Sequence, residues 1–172
     1  MYRILSNESL TPTVHRFDIE APAVARKAQA GQFVILRIDE RGERIPLTIA
    51  DWNADEGVIT VISMEVGTET KYLATLKAGN YLADFVGPLG IPSKIENWGT
   101  VVCVAGGVGI APIAPIARSL KKAGNKVISI MGARSRDLLF WEDCLKAVSD
   151  ELTVTTDDGS YGLKGLVTVP LK

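Results

Sequence analysis

"CVAGGVGIAP", residues 103–112, decides how the second half of the chain is read. It completes the apolar run "TVVCVA" (100–105), which has the continuous hydrophobicity of a strand buried on both faces. Gly106, Gly107 and Gly109 then free the backbone of Cβ atoms on either side of Val108. A phosphate can approach such a main chain closely, and the helix that follows aims its unpaired N–H groups at the same place. Pro112 stands where the third glycine of a G-x-G-x-x-G dinucleotide fingerprint would fall. Proline suits a first helical turn, where its missing N–H has no partner to lose. Taken alone, these ten residues leave two readings open: a phosphate cradle, or a tight strand-to-helix turn that uses glycine for its dihedrals.

Outward from that turn the grammar is strand–helix–strand–helix–strand. "IAPIAPIARSLKKAG" (110–124) reads as a helix with Ile113, Ile116, Ala117 and Leu120 on one face. "KVISIMGA" (126–133) is a second buried strand, "SRDLLFWEDCLKAV" (135–148) a second helix and "ELTVTT" (151–156) a third strand. This alternation implies parallel strands joined by right-handed crossovers. Before residue 98 the grammar differs. "TVHRFDIEA", "QFVILRID", "IPLTIADW", "GVITVISMEV" and "NYLADFVG" alternate or run apolar at strand length, separated by "AGQ", "DERGE" and "NADEG". One short helix is expected from Thr68 to Leu76, with Tyr72, Leu73 and Leu76 on one side and Gly79 as its stop. "PLGIPSKIENWG" (88–99) links the two regions, which predicts a β-domain over 1–98 and an α/β domain over 99–172.

The 172 residues carry a net charge of −1 and are 47% hydrophobic, so no global field draws nucleic acid or anionic lipid. No apolar stretch reaches the length of a membrane span, and "MYRILSNESL" lacks the layout of a signal peptide. Cys103 and Cys144 lie far apart in apolar segments without a C-x-x-C, so no metal is expected in this chain, and a reducing cytoplasm is the expected setting. The single histidine, His15, flanks an alternating stretch and reads as an ordinary strand residue.

Two further stretches suit anions. "ERIPLTIAD" (43–51) gathers Arg44, Pro46, Leu47 and Thr48 at a strand start, where a guanidinium grips a pyrophosphate through parallel hydrogen bonds. "VGTETKYL" (66–73) opens a helix with Gly67, Thr68 and Thr70, a nest of free N–H groups. Each alone also reads as an exposed arginine beside a strand, or as an N-cap before a core helix.

The order of these motifs, with "GPLG", "VAGGVGIAPI", "GARSRDLLFW" and "TDDGSYGLKG", resembles the ferredoxin–NADP⁺ reductase superfamily. It is most similar to the branch holding dihydroorotate dehydrogenase electron-transfer subunits, sulfhydrogenase gamma subunits and the small subunit of NADH-dependent ferredoxin–NADP⁺ oxidoreductase. The resemblance implies an N-terminal antiparallel FAD-binding β-barrel followed by a partial parallel three-layer α/β nucleotide-binding domain. It implies that Arg44 holds the FAD pyrophosphate, that Pro46 and Leu47 lie against the flavin, and that Thr48 sits near flavin N5 as the one residue at the reacting centre. Gly67, Thr68 and Thr70 would offer donors to the FAD phosphates. Gly106, Gly107, Val108 and Gly109 would line the nicotinamide and pyrophosphate path, with Ala133, Arg134 and Ser135 near the adenosine ribose. Asp157, Asp158 and Gly159 would end the third strand beside them.

The implied chemistry is hydride transfer from nicotinamide C4 to flavin N5, then electron exit to an iron–sulfur partner. Arg134 and Arg136 would suit a 2′-phosphate, whereas Asp157 and Asp158 would repel one, so NADH is expected with NADPH as the alternative. Members of the branch carry a four-cysteine [2Fe–2S] segment after the nucleotide domain. That cluster, and the remaining strands of the sheet, are expected beyond residue 172 or in a partner, the larger catalytic or iron–sulfur subunit of a hetero-oligomer. Leu47 stands where many superfamily members have an aromatic residue. The alternative function is a non-catalytic flavin- or nucleotide-binding docking module.

Overall fold

The computed structural model describes residues 1–171. Residues Met1–Ser93 form one compact unit, and the chain from Lys94 onward forms a second. Local hydrogen bonds explain where one ends and the next begins. Ser93 N–H donates to Ala30 O, tying residue 93 to the first unit. The buried Asn125 side chain accepts from Trp98 N–H and donates to Glu96 O and Leu120 O, tying the linking segment to the second.

The first unit contains β1 (Tyr2–Thr11), β2 (Val14–Glu20), α1 (Pro22–Ala25), β3 (Phe33–Arg37), β4 (Ile45–Asn53), β5 (Val58–Met64), α2 (Thr68–Thr75), β6 (Tyr81–Leu82) and β7 (Asp84–Leu89). The strands pair antiparallel in the order β6-β1-β2-β5-β4-β3-β7. β6 lies on one edge of that order and β7 on the other, yet only Ala83 separates them in the chain. The two edges therefore meet, and the sheet is a nearly closed barrel. Its interior is apolar because alternate residues point inward: Ile4, Phe17, Ile19, Leu36, Ile49, Ile59, Leu82 and Phe85 are fully buried. Leu73 of α2 joins this core, which fixes the helix against the barrel. Tyr72, expected beside it, is exposed, whereas Leu76 packs partly buried against the same core.

β1, the pairing partner of both β2 and β6, was not legible in the sequence. "YRILSNESLT" mixes polar residues onto both faces, and two register shifts interrupt its pairing with β2. "NYLADFVG" is two strands, not one, because the chain turns from one sheet edge to the other at Ala83.

The second unit contains β8 (Thr100–Gly106), a 3-10 turn at Gly107–Gly109, α3 (Ile110–Lys122), β9 (Lys126–Ala133), α4 (Glu142–Val148), β10 (Glu151–Thr156) and β11 (Leu163–Lys164). All strand pairs are parallel, in the order β11-β10-β9-β8. The strands advance in one direction, so two right-handed crossovers place α3 and α4 on one face, where they touch. That is one helical layer of the expected arrangement. β11 adds a fourth strand that two residues of sequence could not announce.

Two helices differ in detail from their sequence pattern. α3 buries Ile110, Ala111, Pro115, Ala117 and Leu120, while Ile113 and Ile116 are only half-buried, so its inner face is rotated from the expected stripe. Pro112 occupies its first turn. The stretch 135–148 is not one helix. A 3-10 turn at Arg136–Leu138 is followed by extended residues, and Trp141 adopts a left-handed φ of 58° before α4 begins. Cys103 is buried in β8, but Cys144 is exposed on α4. No helix among the described residues is long and apolar enough to cross a membrane. No group of three or more His, Cys, Asp or Glu side chains suited to a metal ion occurs among them.

Candidate functional site

Two places, one in each unit, collect the residues singled out by sequence. In the barrel unit, Arg44 immediately precedes β4 and Pro46 is its second residue, while Gly67 is the N-cap of α2. More than twenty positions separate these segments, yet Arg44, Pro46, Gly67, Thr68 and Thr70 line one open pocket of about 500 Å³. The α2 start is organised by a hydroxyl. Thr70 Oγ1 accepts from both Val66 N–H and Gly67 N–H at 3.0 Å and donates to Gly67 O at 3.1 Å. This is a capping arrangement, and the N–H groups of a helix's first turn have no acceptor one turn back within the helix. Glu43 and Glu69 share the lining, so Arg44 is the cation of a pocket that also carries acid. Glu69 Oε2 is buried without a hydrogen-bond partner.

The antiparallel register continues the site along the outside of the barrel. Pro46 is opposite Ile35, which is opposite Val86; Thr48 is opposite Phe33. Direct partners share a face, so Pro46, Ile35, Val86, Thr48 and Phe33 form a half-exposed, largely apolar strip beginning at the pocket's Pro46. Leu47 alternates to the other face and packs against the barrel core. Sequence reasoning missed Phe33, Ile35 and Val86 because the register that sets them beside Pro46 joins three separate strands.

In the α/β unit, every residue singled out falls at the carboxyl end of a strand, where open α/β sheets bind ligands. Gly106 ends β8 and is registered on Gly132 of β9. Ala133 O accepts from Asp157 N–H and Arg134 O from Asp158 N–H, so the ends of β9 and β10 are joined through main-chain bonds. Gly159 closes the turn onto Thr156 O. Ser135 immediately precedes the 3-10 turn, and its carbonyl accepts from Leu138 N–H. Beyond these lies a second group that the sequence only hinted at through Arg136. Arg136 N–H donates to Ser160 Oγ, and Ser160 donates to Asp158 Oδ1 through both N–H and Oγ. Those bonds from Ser160 hold the Asp158 carboxyl below the usual carboxylate range. The Arg136 guanidinium lies over the Tyr161 ring, and Tyr161 Oη donates to Glu142, whose carboxylate pushes the phenol's ionisation up. Arg136, Trp141, Glu142, Cys144 and Tyr161 line a pocket of about 420 Å³.

The glycines at both places are informative. An added Cβ at Gly67, Gly106, Gly107 or Gly109 would meet nothing within 4 Å. Only Gly107 has a positive φ, 53°. Gly67, Gly106 and Gly109 have φ values of −140°, −121° and −62°, which any residue adopts. Neither packing nor backbone conformation demands glycine there. The contrast is Gly132, where a Cβ would collide with Thr155 and Val167.

No family model matches the chain. Curated relatives do. The chain is 48% identical, over 96% of its length, to a Thermotoga maritima protein described as a homologue of the electron transfer subunit of dihydroorotate dehydrogenase B (NAD(+)). It is 34% identical, again over 96% of its length, to the Fusobacterium nucleatum subsp. nucleatum electron transfer subunit of dihydroorotate dehydrogenase B (NAD(+)). It spans 58% of the first and 66% of the second. Among solved structures, a chain of the NADH-dependent reduced ferredoxin–NADP oxidoreductase superposes with a TM-score of 0.94 at 46% identity, covering 99% of this chain and 62% of that one. A Neisseria gonorrhoeae ferredoxin NADP⁺ reductase shares the fold at a TM-score of 0.78 and 21% identity. A nearly closed antiparallel barrel followed by a parallel α/β sheet is thus a ferredoxin-reductase-like architecture. Within it, the chain belongs to the branch of dihydroorotate dehydrogenase electron-transfer subunits and their homologues.

Proposed function

We propose that the chain is the flavin- and nicotinamide-nucleotide-binding part of an electron-transfer oxidoreductase, with FAD on the barrel unit and NADH on the α/β unit. The single observation that carries this reading is the pocket that joins Arg44 and Pro46 to Gly67, Thr68 and Thr70. A cation and a helix N-terminus converge there, the combination a diphosphate requires. The open approach at Gly67 fits a phosphate, the strip from Pro46 to Val86 fits one face of an aromatic ring system, and Glu69 Oε2 offers an acceptor to a ribose hydroxyl.

When bound, FAD supplies an N5 that takes hydride from nicotinamide C4 and a ring that releases electrons one at a time. The chain's own residues bind and orient. Arg44 neutralises diphosphate charge, and Thr70 keeps the α2 start open toward it. Pro46 and Thr48 present the edge of β4 to the ring, Thr48 with the one hydroxyl of that strip. Gly106, Gly107, Val108 and Gly109 leave a bare backbone at the head of α3 for the nicotinamide nucleotide's diphosphate, and Ala133, Arg134 and Ser135 meet its ribose. Asp157 and Asp158, with Gly159 in their turn, favour NADH over NADPH, because Arg136 is already committed to Tyr161. No acid–base pair is required. Electrons leave to an iron–sulfur centre in the remainder of a longer protein or in a larger partner subunit, in a cytoplasmic assembly. The relatives described as electron transfer subunits support a partner subunit.

The test is optical. The purified chain is saturated with FAD and titrated with NADH under argon. Loss of the flavin's visible band at one equivalent of NADH is the expected result. A flavin that binds and does not bleach rejects the oxidoreductase and favours a docking module.

A further inference from the structure

We propose that Glu69 is a specificity-determining residue of the barrel pocket: it selects a flavin whose phosphate continues into a second nucleotide, FAD, over one that ends in a free phosphate, FMN. The inference rests on the flavin reading above and names what that pocket rejects.

The charge of the pocket is unusual for a phosphate site. Its lining holds one cation among the described residues, Arg44, and two acids, Glu43 and Glu69. Each acid stands beside a group that grips an anion. Glu43 precedes Arg44 in the chain, and Glu69 lies in the first turn of α2. A phosphate monoester concentrates a charge of about −1.5 to −2 on one phosphorus at pH 7. A single arginine flanked by two carboxylates is poorly matched to it, because like charges at short range repel.

An internal diphosphate differs in two ways. It carries one negative charge on each phosphorus, so the first phosphate brings less charge to the acids. Beyond the second phosphate comes a ribose, whose hydroxyls donate. A carboxylate only accepts, and acidic side chains hold ribose hydroxyls in other dinucleotide sites. The acids that disfavour a terminal phosphate therefore favour a nucleoside.

Glu69 is free for that role. The α2 start is capped by Thr70 Oγ1, which takes the Val66 and Gly67 N–H groups, so the Glu69 carboxylate is not used in capping. Glu69 Oε2 is buried and has no hydrogen-bond partner. A Cβ added at Gly42 would lie 3.0 Å from it, so this oxygen rests against the loop between β3 and β4 that carries Glu43 and Arg44. Val66 stands in the same lining and is 70% exposed, an apolar surface that an adenine covers and that FMN has no group to reach.

The affinities of FAD and FMN are measured by equilibrium dialysis for the wild type, Glu69→Gln, Glu69→Asp and Arg44→Ala. The readout is the ratio of the two affinities. A variant that merely folds poorly lowers both alike and leaves that ratio in place. Glu69→Gln removes one negative charge and weakens the acceptor. FMN is expected to bind more tightly and FAD less so, and the FAD preference to fall about fivefold or more, the scale of one charge beside another at a protein surface. Glu69→Asp keeps the charge and is expected to keep most of the preference. A Glu69→Gln ratio equal to that of the wild type overturns the inference. So does a wild type that holds FMN as tightly as FAD, or a Glu69→Asp ratio as low as that of Glu69→Gln, which would assign the selectivity to shape. Arg44→Ala is expected to weaken both flavins. If it weakens neither, the flavin site itself is rejected, and the inference with it.

Discussion

The two glycine-led helix starts, Gly67 before α2 and Gly106–Gly109 before α3, do similar local work by different means. At α2 the cradle is assembled from two distant segments. Arg44 brings a cation, Thr70 organises the N–H groups with a hydroxyl, and Leu73 anchors the helix in the barrel core. At α3 the cradle is one continuous run of main chain, capped by no side chain and opened by the absence of Cβ atoms. The first design is sensitive to charge and hydroxyl chemistry. The second is sensitive to bulk. Substitutions chosen by that contrast separate the two sites.

The largest expected effect is at α3. Gly109→Val adds a branched side chain where a Cβ now meets open space, at φ −62°, which valine adopts without strain. The fold is expected to survive, FAD to stay bound, and NADH to lose all measurable binding by calorimetry. Equal NADH affinity in the variant would show that the turn is only a connector. Next is Arg44→Ala, which removes a charge-assisted contact of about 1.5–3 kcal/mol and lowers FAD affinity about 10- to 100-fold. Equilibrium dialysis reads that loss, and NADH binding to the FAD-free chain is expected to stay the same.

Thr70→Val is a smaller change. It removes the acceptor shared by Val66 and Gly67, a loss of about 1 kcal/mol on the scale of helix caps. FAD affinity is expected to fall about fivefold, and the melting temperature to fall with it. Smallest is an effect confined to the α/β unit. The Asp150 carboxyl lies below the usual range because Lys121 and then Val127 N–H stabilise its charged form. A depressed folded value means that the stabilisation is present at neutral pH and is lost as pH falls through that value. Asp150→Asn should therefore lower the melting temperature at pH 7, and the difference from the wild type should shrink as the solution is acidified through the range in which the carboxyl takes its proton. Thermal scans across an acid series check this, and a difference that stays constant throughout would place the effect in packing instead of charge.

The same contrast explains what was legible in the sequence. The α3 cradle is contiguous, so "VAGGVGIAP" displays it entire: apolar strand, bare turn, helix start. The α2 cradle is split, and each half by itself reads as a plain arginine or a plain cap. Only the motif order joined them, and only the fold supplied the register that sets Ile35 between Pro46 and Val86. β2 was visible because it alternates with one face in the barrel, and β5 because it runs apolar and is buried continuously from Ile59 to Ser63. β1 was not, because its pairing is interrupted and its polar residues serve neighbours, Asn7 on α2 carbonyls and Ser6 on Asp18. The break at Trp141 was hidden because nothing in "DLLFWEDCL" disfavours helix, and a left-handed tryptophan is set by its surroundings rather than by its own preference.

The most direct test of the central claim is a crystal structure of the chain grown with FAD. The diphosphate is expected within hydrogen-bonding distance of the Arg44 guanidinium and the first-turn N–H groups of α2, with the ring along Pro46 and Thr48. Flavin density anywhere else on the barrel, with that pocket holding only solvent, would contradict it.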